Sequence, residues 1–277
     1  MTNKKLYIFL LIFFIFSSAI LAQKNIVILH TNDTHSRIEP IPSTDNSAPN
    51  MGGVVRRATY IDLVRKDNKN VLLFDSGDLL QGTPYFNLFK GKIEIEAMNM
   101  MHYDAATIGN HEFDYGLDVL EKVVKKAKFP FICSNYDFSG TQLDGLIKSY
   151  TIIKKDGIKI GIIAVNIQPN GLIAEQLYQG VKYIPHTEIA NRIAQNLKEK
   201  KKCDVIICLS HLGYERDIEF AQKSRNIDII LGGHSHTFMK EPKFVNNLDG
   251  KQVMIHQTNG RGINVGKVDI RLEKVGK

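Results

Sequence analysis

An α/β fold with some antiparallel strand pairs is what this 277-residue sequence predicts. Three observations carry that expectation. Short runs rich in Val and Ile, at residues 26–29, 71–74 and 205–209, alternate with longer segments whose apolar residues recur at helical spacing. The runs are apolar throughout rather than alternating, as strands of a sheet covered on both faces must be. Residues 150–155 and 158–165 are split by Asp156-Gly157, the chemistry of a tight antiparallel hairpin turn.

The elements follow in order. Lys4 and Lys5 precede an unbroken apolar stretch over residues 6–16, and small residues lead to Ala22. That is the pattern of a secretory signal peptide over 1–22, which leaves one domain over 23–277. The stretch is shorter than the roughly 20 residues a bilayer span needs, so cleavage and export to the periplasm or extracellular medium are expected. No Cys follows the cut, so a bacterial lipid anchor is not indicated. Residues 38–50 hold three prolines among Ser, Thr and Asn, and form a loop that is either a flap at the substrate edge or an insertion without a role. Helices are expected over 53–66, 93–101, 117–126 and 188–200, with a weaker one over 215–224. The tail, 252–256 then 265–272 around Asn259-Gly260-Arg261-Gly262, reads as a second hairpin.

Composition excludes several classes. With 43% hydrophobic and 23% charged residues the chain is globular rather than disordered. Its formal charge of +7 is dispersed, with lysines over 122–128 and 198–202 and no aromatic-interleaved basic stripe, which argues against a nucleic-acid polymer as partner. A mild positive balance suits anionic substrates. Cys133, Cys203 and Cys208 are few, odd in number and set in or beside apolar runs, so no disulfide framework is expected.

Five apolar runs end in polar motifs. They are Asn32-Asp33-Thr34-His35, Ser76-Gly77-Asp78, Gly109-Asn110-His111-Glu112, Ser210-His211 and Gly232-Gly233-His234-Ser235-His236. In α/β sheets ligands bind beyond the carboxyl ends of the strands, so all five ends can reach one rim. Asp, Asn and His are oxygen and nitrogen donors for divalent metals. His35, His211, His234 and His236 stand in ligand-like positions, and His111 adjoins Asn110. His30, His102, His186 and His256 lack such a setting and read as structural. The glycosylation sequon at Asn32 overlaps the first motif and reads as incidental.

Asp33-x-His35, Gly77-Asp78-x-x-Gln81-Gly82, Gly109-Asn110-His111-Glu112, His211 and Gly233-His234-Ser235-His236 together resemble the calcineurin-like metallophosphoesterase signature. The forms around Asp33, Asp78 and Asn110, and Gly52-Gly53-Val54-Val55-Arg56-Arg57, resemble its periplasmic 5′-nucleotidase branch, over about residues 25–272. The resemblance implies a four-layer α/β/β/α sandwich of the metallo-dependent phosphatase type. It implies two divalent metals bridged by Asp78, one completed by Asp33, His35 and His236, the other by Asn110, His211 and His234. A donor set without thiolate suits Mn, Zn, Fe or Co. Two such ions lower the pKa of a bridging water, whose hydroxide attacks phosphorus. The resemblance makes His111 the catalytic residue, oriented by Asp114, and places Asn110 and His111 against the substrate. Glu112 is left a supporting or salt-bridge role. The expected activity is 5′-nucleotidase-like release of phosphate.

The sequence departs from that branch after Lys277, where the resemblance implies a second domain that holds the base. The expectation is therefore a chain without that domain. Alternatives are the catalytic half of a split 5′-nucleotidase working with a separate base-binding chain, a 2′,3′-cyclic-nucleotide phosphodiesterase, a sulfur-ester hydrolase, and a metal-binding protein without catalysis.

Overall fold

The computed structural model describes residues 24–272, so the leader expected over 1–22 lies outside the described residues. The first half runs β1 (Lys24–Thr31), α1 (Val54–Asp67), β2 (Val71–Asp75), α2 (Pro84–Phe89), α3 (Lys92–Met100), β3 (Ala105–Thr107), α4 (Gly116–Lys126) and β4 (Phe131–Ile132). The second runs β5 (Tyr136–Asp137), β6 (Tyr150–Lys155), β7 (Ile158–Asn166), β8 (Lys182–Tyr183), α5 (His186–Glu199), β9 (Val205–His211), α6 (Tyr214–Lys223), β10 (Ile229–Leu231), β11 (Lys243–Asn246), β12 (Gln252–His256) and β13 (Gly266–Leu272). The five expected helices correspond to α1, α3, α4, α5 and α6. The short α2, opened by Pro84, was not anticipated. Among the described residues no helix is long and apolar enough to cross a membrane.

Two sheets form the centre. One has the order β13-β1-β2-β3-β4, with β1 to β4 parallel and β13 antiparallel on the edge. The other has the order β11-β12-β10-β9-β7-β6, parallel inside and antiparallel at both edges. Side chains alternate across each strand, so each sheet feeds two cores. Val27 and Leu29 of β1 pack with α1, α3 and α4, while Ile26 and Ile28 face the second sheet. Val205, Ile207 and Leu209 of β9 meet them there, and Ile206 and Cys208 pack under α5 and α6. Three cores separate four layers, which is the expected α/β/β/α sandwich. All three cysteines are buried and free.

The hairpin of β6 and β7 forms as expected, with Lys155 opposite Ile158. The tail does not. β12 lies inside the second sheet between β10 and β11, whereas β13 crosses to the first sheet and pairs with β1. Burial separates them: Val253, Met254 and Ile255 form a buried run fit for an interior strand, while β13 alternates along its length as an edge strand does. The residues around Asn259-Gly260 therefore form a crossover between sheets rather than a hairpin loop.

Candidate metal centre

Five parallel strands point their carboxyl ends at one rim. Asp33 and His35 follow β1, Asp78 follows β2 and Asn110 follows β3. His211 closes β9, and His234 and His236 follow β10. The turns that aim these side chains are strained. Asp33, His35, Asp78, His234 and His236 have φ of 50°, 47°, 54°, 73° and 50°. Such values are uncommon outside glycine and cluster at functional sites. Gly77 (φ 87°) opens the turn to Asp78. Gly109 lets the third loop close over it, since a Cβ there would collide with Asp78 Oδ1.

The side chains converge as two groups, Asp33, His35 and His236 in one and Asp78, His211 and His234 in the other, each with its donor atoms within 4.8 Å of one another. In the first, Asp33 Oδ1 lies 3.4 Å from His236 Nε2, and the Nε2 atoms of His35 and His236 are 2.9 Å apart. In the second, Asp78 Oδ2 is 3.0 Å from His211 Nε2. Asn110 Oδ1 is 3.0 Å from His234 Nδ1, which brings the seventh expected ligand to the same place. Asp33 Oδ1 is also 4.0 Å from the Nε2 atoms of both His35 and His211, so this carboxylate spans the two groups. Asp78 Oδ1 accepts the backbone N–H of His111 at 2.9 Å.

The donors fit metal ions. His211 is wholly buried, its Nδ1 is bonded to the Ser76 carbonyl at 2.7 Å, and its Nε2 has no hydrogen-bond partner. The short approach of Asp78 to that Nε2 lacks the angles of a hydrogen bond, and a neutral imidazole there presents a bare lone pair. Burial pulls His211 down, but the Asp78 and Asp33 carboxylates outweigh it and push its pKa up to about 10. Burial works against ionised Asp78, yet His211, His111 and His35 hold it well below the usual carboxylate range. Burial lowers His35 and His234, while the bond to Asp33 raises His236.

His111 borders the same cavity, and its Nδ1 is 2.9 Å from Asp114 Oδ2. That bond raises its pKa and favours the imidazolium. Arg37, Gln81, Leu172 and Arg261 wall the opening, about 450 Å³ in volume. Arg261 Nη1 is held by Asp45 Oδ2 at 2.9 Å, which ties the 38–50 loop to the rim of the site.

Supporting residues appear that sequence reasoning left vague or missed. Glu112 makes no ion pair among the described residues. Its carboxylate accepts the backbone N–H groups of Asp78, Leu79 and Leu80 at 3.0 to 3.1 Å, and that of Gly109. Burial, then repulsion from Asp78, pushes its pKa up to about 7. Asn32 donates to Asp33 Oδ2 and accepts from the Thr258 N–H at 2.9 Å. Gln257 donates to the Gly233 carbonyl at 2.8 Å and so steadies the turn to His234. Of the histidines read as structural, His30 and His256 bond to each other, His186 meets the Tyr183 hydroxyl at 3.0 Å, and His102 is exposed.

Residues 26–238 match the family described as calcineurin-like phosphoesterase. The chain belongs to the calcineurin-like phosphoesterases. It is 33% identical over 274 residues to the 5′-nucleotidase of Homo sapiens, covering 91% of this chain and 47% of that protein. The 5′-nucleotidase precursor of Thermus thermophilus superimposes with a TM-score of 0.82 at 32% identity, over 89% of this chain and 51% of that one. The NAD nucleotidase of Haemophilus influenzae does so with a TM-score of 0.83 at 30% identity, over 91% and 48%. This phosphoesterase chain thus spans about half the length of the curated relatives it matches.

Proposed function

We propose that this chain is a dimetal hydrolase that releases phosphate from nucleotides. The observation that supports it most is the convergence of Asp33, His35, His236, Asp78, His211, His234 and Asn110 at one rim, with the His111–Asp114 pair on the same cavity. Asp33, His35 and His236 would hold one metal and Asn110, His211 and His234 the other, with Asp78 shared. Bound there, divalent ions such as Mn, Zn, Fe or Co would supply an activated water and neutralise phosphoryl oxygens. The chain's own residues do the rest. Asn110 and His111 face the phosphoryl group from the cavity wall. Imidazolium His111, steadied by Asp114, stabilises charge in the transition state or hands its proton to the leaving oxygen. Likeness to proteins named 5′-nucleotidases supports nucleotides as substrates, and the leader pattern over 1–22 supports export.

The test is hydrolysis by the purified 23–277 protein with added Mn. An aryl phosphate, a nucleoside 5′-monophosphate and a 2′,3′-cyclic nucleotide are compared. The expected result is fastest turnover of the 5′-monophosphate. Preference for the cyclic substrate would replace nucleotidase with phosphodiesterase, and no turnover of any of them would overturn the hydrolase assignment. The match to only half of each relative favours a second reading, in which base recognition comes from a further polypeptide segment. Stimulation by an added base-binding chain would support it.

A further inference from the structure

We propose that a second cavity beside the metal centre, marked by Arg216, receives an anionic group on the leaving side of the substrate. This rests on the hydrolase reading above and extends it to substrate class. The cavity has a volume of about 510 Å³ and shares two walls, Leu172 and His234, with the cavity over the metal centre. The two spaces therefore adjoin, with Leu172 and His234 between them. A leaving group that reaches past Leu172 and His234 from a phosphoryl group at Asn110 and His111 would enter this second cavity.

The chemistry of the second cavity is specific. Asn170, Tyr183 and His186 line it, and no carboxylate does. Arg216 is exposed and, among the described residues, makes no ion pair, whereas Arg225 and Arg261 are engaged by Asp249 and Asp45. Arg216 shares the cavity wall with Tyr183 and His186. A guanidinium with open donors beside an amide, a phenol and an imidazole is a receptor for phosphate or carboxylate. The substrate class this favours is a phosphomonoester whose alcohol carries a second phosphate, such as a nucleoside 3′,5′-bisphosphate. A neutral leaving group would leave Arg216 to solvent.

The experiment compares kcat/KM for a nucleoside 3′,5′-bisphosphate with that for the matching 5′-monophosphate, in the Mn-loaded wild type, R216Q and R216K. The ratio of bisphosphate to monophosphate is expected to fall about tenfold in R216Q, mainly through KM, as loss of one charge-assisted contact predicts. R216K should recover most of it, and in the wild type added salt should shrink the bisphosphate advantage. An unchanged ratio in R216Q overturns the proposal. If the wild type hydrolyses neither compound, the nucleotidase reading falls on its own, and calorimetric titration with the bisphosphate decides the subsite. Binding about tenfold weaker in R216Q upholds it. Equal affinity in the two proteins, or no binding to either, overturns it.

Discussion

The two ligand groups at the rim are built to different depths. In the inner group the His211 side chain is fully buried and Asp78 is 3% exposed. The Ser76 carbonyl orients the ring, and Glu112 pins the Asp78 turn through its backbone. In the outer group Asp33 is equally buried, but His236 is 45% exposed and meets its partners from solvent. Ordering an exposed side chain on binding carries an entropic penalty that a packed one has already met in folding. The inner metal should therefore be held more tightly, and the outer one should exchange.

The change that most severely breaks this contrast is Asp78→Ala, which removes the carboxylate assigned to both ions. Metal analysis should find neither ion, and activity should fall by at least about 10³-fold. Near-normal activity in that variant would sink the shared-ligand assignment. His111→Ala should separate chemistry from metal binding. Its turnover should drop about 10²- to 10⁴-fold, with metal content unchanged. A parallel loss of metal would instead make His111 part of the inner group.

The rim was legible in the sequence for a physical reason. Parallel strands deliver their next few residues to the same edge, so an apolar run followed by Asp33, Asp78 or His211 announces both the strand and the ligand. What supports the rim is not local. Asn32 reaches Thr258, which is 226 residues away, and Glu112 acts on residues 78–80 only after two loops have closed on each other. Glu112 was visible inside its motif, yet an acid next to His111 gives no sign that its acceptors will serve backbone. The crossover of the tail was hidden likewise, because Asn259-Gly260 is turn chemistry whichever sheet receives the following strand. The difference in depth between the groups depends on both sheets packing together, and no single segment carries it.

The comparison sharpens at intermediate size with His236→Ala against His211→Ala. Loss of His236 should weaken one metal about 10- to 100-fold and leave the other in place after dialysis against a mild chelator. Loss of His211 should weaken binding more, because Asp78 is then a buried carboxylate without its nearest cationic or metal-bearing partner. Equal losses in the two variants would mean that depth does not set affinity.

The smallest expected effect lies between the two sheets, where His30 of the first and His256 of the second meet at 2.8 Å. Burial, then the charge of His256, lowers the His30 pKa well below its ordinary value of 6.5. The unfolded chain therefore binds the extra proton below pH 6.5 while the folded one resists it. The contribution is fully present above pH 6.5 and is lost as pH falls towards the folded pKa, at about 1.4 kcal/mol per pH unit. Urea unfolding at pH 7.5 and 5.5 reads this directly. The wild type should lose more stability over that interval than His30→Gln, whose amide does not titrate. If the two proteins lose stability equally, the junction between the sheets does not depend on a neutral His30.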